Sequence, residues 1–244
     1  MSPATGPRPD PRRRFHRDEQ LRLNARRTEH LSWLGLVRTG KTALEVGAGL
    51  GDIASFFAGR GCRTTVTEGR AELVEMIRAG QSLVQSRQAS VLDLEKCPAV
   101  PMFRADYAVC YGVLHLISAP AEALAFLRAC ATPTGMLLLE TPVSASRDES
   151  LNPCEEPTGE ADGSISGKGC RPTRLWVWNT LKRLYPHVYL PRSQPCHDAF
   201  PLDWTGTIGT PNPRAVFVAS MTALNSPRLA GELLDVQHPA GREA

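Results

Sequence analysis

The sequence predicts an α/β fold, a doubly wound and mostly parallel sheet with helices on both faces. Two observations lead there. From Thr42 to Arg70 the order is a short apolar run (Ala43-Leu44-Glu45-Val46), a glycine turn (Gly47-Ala48-Gly49-Leu50-Gly51), a helical segment, a β-branched run (Arg63 to Thr67) and an acid, Glu68. That order is one nucleotide-binding βαβ unit. Further on, short apolar runs at Ala105–Tyr111 and Met136–Leu139 alternate with segments of helical spacing, as parallel strands joined by crossover helices do.

Each part of the unit has a local cause. Glycine makes the turn cheaply, because positive φ is free to it and no Cβ bars a ligand. Asp52 is placed to cap Ile53–Arg60, where Ile53, Phe56 and Phe57 recur at i, i+3 and i+4. Gly61 stops that helix. An acid about 20 residues beyond the glycines can accept hydrogen bonds from both ribose hydroxyls. Dinucleotide enzymes favour G-x-G-x-x-G, which would need glycine at position 52, where this chain has Asp52.

The pattern present, Glu45-x-Gly47-x-Gly49-x-Gly51, resembles the first motif of class I (Rossmann-like) S-adenosylmethionine (SAM) methyltransferases, over roughly Leu36 to Thr141. The resemblance implies SAM as cofactor and S-adenosylhomocysteine (SAH) as its product. It implies a seven-stranded sheet whose last two strands form a reversed hairpin, so that the C-terminal strand is antiparallel. It also places Glu45, Gly47, Ala48, Gly49, Gly51, Glu68, Gly69, Asp93, Leu94 and Tyr111 at the cofactor, with Asp93 near the adenine amino group.

The chain of 244 residues is long enough for a full core, and one domain is expected, over 18–222. Its parts are an N-terminal helix (18–36), a cofactor-binding half (42–141) and a substrate-side half (142–222). No apolar run approaches the ~20 residues of a membrane span, and the start lacks the apolar centre of a secretory signal. Seven cysteines form no C-x-x-C pair and several sit in apolar stretches, as reduced cytoplasmic thiols do. The net charge is +3, but Met1 to Arg17 holds five arginines and one aspartate, which leaves the body near −1. That balance argues against a nucleic-acid partner. Residues 1–17 read as a disordered basic arm and 223–244 as a flexible tail. Nothing in the sequence sets an oligomeric state.

Along the chain, Asp18 to Leu36 has helical spacing, stopped by Gly35 or Gly40; Arg27 and His30 on it are either cleft contacts or surface residues. Gly35 to Thr42 matches the phosphate-loop string G-x-x-x-x-G-K-[ST], but a helix precedes it and a strand follows, the reverse of what that loop needs. Ala71 to Leu83 reads as a helix with Leu73, Met76, Ile77 and Leu83 inward, and Gln88 to Leu92 as a strand ending at Asp93. Ala105–Tyr111 leads into Gly112-Val113-Leu114-His115-Leu116-Ile117, which resembles the loop facing the reacting methyl. Pro120 to Cys130 is helical, and Met136 to Leu139, apolar throughout, is a strand buried on both faces, ending at Glu140. Pro172 to Tyr185 is the last helix, followed by strands at Val188–Leu190 and Arg214–Ser220.

Ligands of open α/β sheets bind outside the carboxyl ends of the strands. Two long irregular segments, 141–169 and 192–213, emerge there, and the second is expected to be the substrate wall because it carries His197, Phe200, Asp203 and Trp204. Arg171 and Arg174 near the start of the last helix either bind an anionic substrate group or pair with Glu155 and Glu156. His187, Cys196 and His197 lack any zinc spacing, so no metal is expected. The predicted reaction is transfer of a methyl group to oxygen or nitrogen of a small-molecule or saccharide-type acceptor. His115, then His197, are the candidate bases, with Glu140, Arg171, Arg174, Asp203 and Trp204 on the substrate. The alternatives are a nicotinamide-dependent oxidoreductase, a non-catalytic methyltransferase-like binding protein and an RNA methyltransferase.

Overall fold

A computed structural model describes residues 10–80 and 88–241 of the chain. Two helices come first, α1 (Pro11–Phe15) and α2 (Asp18–Leu34). The βαβ unit follows as β1 (Thr42–Val46), α3 (Asp52–Ala58) and β2 (Arg63–Glu68), extended by α4 (Ala71–Arg78) and β3 (Ala89–Val91). Next come β4 (Ala105–Tyr111), α5 (Pro120–Ala129), β5 (Ala131–Pro142) and the short strands β6 (Pro153–Glu155) and β7 (Lys168–Cys170). The chain continues through α6 (Arg174–Leu184), β8 (His187–Pro191), β9 (Ser193–Gln194), β10 (Arg214–Ser220), β11 (Leu229–Ala230) and β12 (His238–Pro239).

The main sheet has the order β11-β8-β10-β5-β4-β1-β2-β3. From β3 to β5 every pairing is parallel, and β10 is antiparallel to both β5 and β8. The expected mostly parallel sheet with an antiparallel C-terminal strand is present, with β11 added as an eighth strand at the edge. Strand order reverses between β1 and β4, which opens a crevice at their carboxyl ends.

Alternation along the strands sorts the core. Leu44 and Val46 of β1 face the layer of α5 and α6, with Leu127, Leu181 and Phe217. Ala43 faces the layer of α2 and α3, with Leu31, Leu34 and Phe57. Both faces of β4 and β5 are covered, so their sequences are apolar without alternation. Fully buried side chains such as Phe57 and Phe217 contribute about 1.5–3 kcal/mol each.

Several expectations are corrected. Gly51, in the left-handed region at φ 83°, is the cap of α3, and Asp52 is its first residue, accepting a hydrogen bond from Asn24 Nδ2 at 2.9 Å. In α4, Val74 is buried where Met76 was expected, because the helix turns that side toward β2 and β3; Leu83 lies outside the described residues. Of the basic arm, residues 11–15 form α1, capped by Asp10, whose side chain accepts the Arg12 N–H at 3.0 Å. Residues 1–9 lie outside the description. Segment 141–169 holds β6 and, running one residue past its end, the antiparallel partner β7.

Within the tail, residues 229–240 are tied to the body by strand pairings and backbone hydrogen bonds. β11 pairs with β8 and β12 with β9. Gln237 is buried, donating to the Pro191 carbonyl at 2.7 Å and accepting from Trp204 Nε1 at 3.2 Å and Gln194 Nε2 at 3.1 Å. Two-residue strands and a buried glutamine leave no periodic signal. Replacing Gln237 with Ala orphans three buried partners and is expected to lower stability by about 1–3 kcal/mol in denaturant unfolding, whereas exposed Glu232→Ala should shift it by less than about 0.5 kcal/mol.

Candidate active site

The crevice at the carboxyl ends of β1, β2 and β4 deepens into a cleft of about 290 Å³. Its floor is the glycine turn after β1. Gly47 and Gly49 have φ of 60° and 58°, and a Cβ on either would lie 2.5 Å from another side chain, Val113 Cγ2 or Phe15 Cε1. Only glycine meets both the dihedral and the packing.

Acids brace this turn from two sides. Glu68, at the end of β2, accepts the Gly49 N–H at 3.0 Å and the Arg70 N–H at 3.1 Å, while burial raises its pKa. Glu45 in β1 accepts the Ala54 N–H at 2.8 Å and is pushed up to about 8 by burial, the hydrogen bond from Ala54 acting against the shift. Beyond β3, Asp93 accepts the Glu95 N–H at 3.0 Å, and Leu92 and Leu94 stand on either side of it in the cleft wall. Gly69 and Ala48 also line the cleft; Gly51 does not, and instead caps α3.

At the other end of the cleft lie Tyr111, closing β4, and His115, in the short 3-10 turn Leu114–Leu116. Tyr111 Oη and His115 Nδ1 are buried without a hydrogen-bond partner among the described residues. Burial, then the charges of Arg214, Arg171 and Arg27, push the His115 pKa well below the usual histidine range, so its imidazole is neutral. Glu140 is fully buried and does not face the cleft as expected. Its carboxylate receives Arg27 Nη2 at 2.5 Å and Arg214 Nη1 at 2.6 Å. Burial acts to raise its pKa, but the two arginines hold it below the ordinary carboxylate value. Arg27 and Arg214, not Glu140, line the cleft.

Other expected substrate residues are elsewhere. Arg171 pairs with Glu156 at 2.6 Å. Arg174 lies over the Trp204 ring at 4.1 Å and donates to the Leu234 carbonyl, so both residues serve to anchor the C-terminal segment. Asp203 turns back on Thr205, accepting its N–H at 2.8 Å. His197 is outside the cleft lining, with Nδ1 accepting the Ala199 N–H at 3.1 Å. His30 is buried, not exposed; its Nε2 lies 3.0 Å from the Ser193 carbonyl, and burial lowers its pKa to about 4.

The wall over the cleft comes from segment 141–169, not from 192–213. Ala161, Asp162, Gly163 and Ile165 line it, with Phe15 and Arg17 from the N-terminal side. Arg14 holds the two together through Asp162 at 2.7 Å and Glu160, and Arg70 donates to the Gly163 carbonyl at 2.7 Å. A Cβ on Gly69 would collide with Ile165 Cδ1. Phe15, Asn24, Asp162, Ile165 and Arg214 carried no sequence signal for the site. Arg27 carried one, a charge on a helix beside the cofactor half.

A family model described as a methyltransferase domain matches residues 15–188. The chain belongs to that family. The N-terminal domain of EvdMO1 with SAH bound is similar in structure, with TM-score 0.58 at 16% identity over 81% of this chain and 80% of that one. So is a SAM-dependent methyltransferase from Archaeoglobus fulgidus, with TM-score 0.56 at 11% identity over 86% and 97%. The Burkholderia thailandensis 1,6-didemethyltoxoflavin-N1-methyltransferase, bound to 1,6-didemethyltoxoflavin and SAH, gives TM-score 0.54 at 17% identity over 87% and 84%. A search of curated proteins gave no match. The class I methyltransferase fold and the SAM cofactor expected from the glycine motif agree with these findings. Among the described residues no helix is long and apolar enough to cross a membrane.

Two outcomes follow from the braced turn. Gly47→Ala should fold yet lose SAH affinity by tenfold or more in calorimetry, since the turn must move off Val113. Glu45 has its folded pKa raised to about 8 from 4.5, so its contribution to stability is full below about pH 4.5 and is lost as pH rises through 8. Relative to Glu45→Gln, the wild type should therefore lose stability between pH 5 and 8, read from denaturant midpoints at each pH.

Proposed function

We propose that this chain is a SAM-dependent methyltransferase that moves a methyl group to oxygen or nitrogen of a small-molecule acceptor. The observation that carries the reading is the glycine-floored cleft, braced by Glu68 and ending at two unpartnered buried polar atoms. A buried polar atom without a partner costs about 1–3 kcal/mol, which a polar ligand would relieve.

The residues fit the cofactor. The bare turn would let an amino-acid and ribose backbone approach; Glu68, with lone pairs beyond those used by Gly49 and Arg70, would take the ribose hydroxyls. Asp93 with Leu92, Leu94 and Ile165 would hold the adenine. Arg27 is the most deeply buried cation of the cleft and the natural partner of the cofactor's carboxylate. Bound SAM would supply a methyl carbon on a sulfonium, open to in-line displacement. The chain's own task is to align the acceptor with that carbon and exclude water, to which the wall at 161–165 and Phe15 contribute. His115 enters as a neutral imidazole, able to hydrogen-bond the acceptor, and the three arginines around it oppose its becoming a cation. An acceptor that arrives already nucleophilic suits it better than one needing a strong base.

A small acceptor fits a cleft of this size and a body with little net charge. It is also in keeping with the didemethyltoxoflavin enzyme and with the EvdMO1 domain crystallised in the presence of SAH and D-fucose. Calorimetry tests the cofactor: SAM and SAH should release heat, and heat from NADH alone would overturn the proposal. Glu68→Ala should weaken SAH at least tenfold, about 1.4 kcal/mol, while His115→Ala should leave SAH affinity within about threefold and lower methyl transfer instead.

A further inference from the structure

The acceptor end of the cleft holds more guanidinium than its acids answer. Arg27 and Arg214 line it, and Arg171, outside the lining, adds its charge to theirs on His115. Among the described residues two carboxylates lie against them: Glu156 on Arg171, and Glu140 divided between Arg27 and Arg214. Arg27 spends a further donor on Asn24 Oδ1 at 2.8 Å. Among the described residues the Arg214 side chain makes one hydrogen bond, through Nη1 to Glu140, and its Nε and Nη2 have no acceptor among them. Its side chain is 16% exposed, against 4% for Arg27, and it lines the cleft together with Tyr111, Gly112 and His115. Gly112 keeps the approach open: a Cβ there would lie 2.8 Å from Arg27 Nη2 and 3.7 Å from Arg214 Nη1.

We propose that Arg214 is the docking point for an anionic group of the acceptor, a carboxylate or similar planar oxyanion. The inference rests on the SAM reading above, in which the cofactor's carboxylate takes Arg27. SAM brings one carboxylate but also an ammonium and a sulfonium, so its arrival makes this end more positive and does not use up the attraction for an anion. The unspent edge of a guanidinium offers parallel N–H donors to such a group, and His115 Nδ1 and Tyr111 Oη can complete its hydrogen bonding. Glu140 fixes the Arg214 guanidinium in place without competing for that edge.

The test uses the full chain loaded with SAH and two small probes of equal shape, acetate and acetamide, followed by NMR of the arginine Nε–H and histidine ring signals. Acetate should shift the Arg214 and His115 signals with millimolar affinity, acetamide should not, and Arg214→Gln should weaken acetate at least tenfold while Arg214→Lys retains part of it. Repeating the titration with 5′-methylthioadenosine, which has no carboxylate, identifies the source: acetate should then find a second site that survives Arg214→Gln and is lost in Arg27→Gln. Equal responses to the two probes up to about 100 mM, or acetate binding to SAH-loaded Arg214→Gln as tight as to wild type, would overturn the proposal. Should Arg214→Gln not fold, the wild-type contrast between acetate and acetamide decides. A chain that takes up neither SAH nor 5′-methylthioadenosine instead overturns the methyltransferase reading on which this one stands.

Discussion

The hydrogen bond from the Gly49 N–H to the Glu68 carboxylate joins the end of one strand's turn to the end of its neighbour, and the cleft exists because that junction is bare. Two left-handed glycines bring the chain past Val113 and under Phe15 with no room for a side chain. Glu45 secures the same turn from behind by accepting the N–H of Ala54 in the first turn of α3. Both acids are buried against the preference of a carboxylate for water, and both have their pKa raised by that burial. Burying two carboxylates works against the core, where apolar residues would be easier to hold, and the backbone N–H groups of Gly49 and Ala54 offset part of that cost.

The second constraint is a charge cluster at the far end. Glu140, wholly inside the protein, is held ionised by Arg27 from α2 and Arg214 from β10. The cluster ties the N-terminal helix to the antiparallel strand across the sheet. Removing one partner from such a buried group typically costs about 3–5 kcal/mol, since a charge is left without an answer. The same arrangement delivers two guanidiniums to the cleft in fixed orientations, so a structural ion cluster and a binding surface are built from the same atoms.

Much of the cofactor half was legible in the chain. Alternating apolar strands, a glycine turn and an acid at the next strand's end are local features with local causes, and Glu68 lines the same cleft as Asp93, Tyr111 and His115, which the family resemblance had singled out. The acceptor half was not. Asp203 and Trp204 looked like part of a substrate wall because they are charged or aromatic and lie in an irregular segment, and Arg174 looked like an anion site because it stands at the start of the last helix. They are occupied in fastening residues 234–237, whose two-residue pairings have no sequence period. The wall comes from Asp162 and Ile165, unremarkable residues in a polar stretch, made into a wall by Arg14 and Arg70.

From residues alone came the fold class, the parallel order around a nucleotide-binding turn, and the identity of the acids beside it, because periodicity and glycine geometry act over a few neighbours. Which side chains meet at the far end of the cleft was decided by the folded chain. Arg27 and Glu140 are 113 positions apart, and Arg214 lies 74 beyond Glu140. A buried charge declares its partner only once the sheet has brought the two together, since the attraction that pairs them depends on distance through space and on the exclusion of water, not on spacing along the chain.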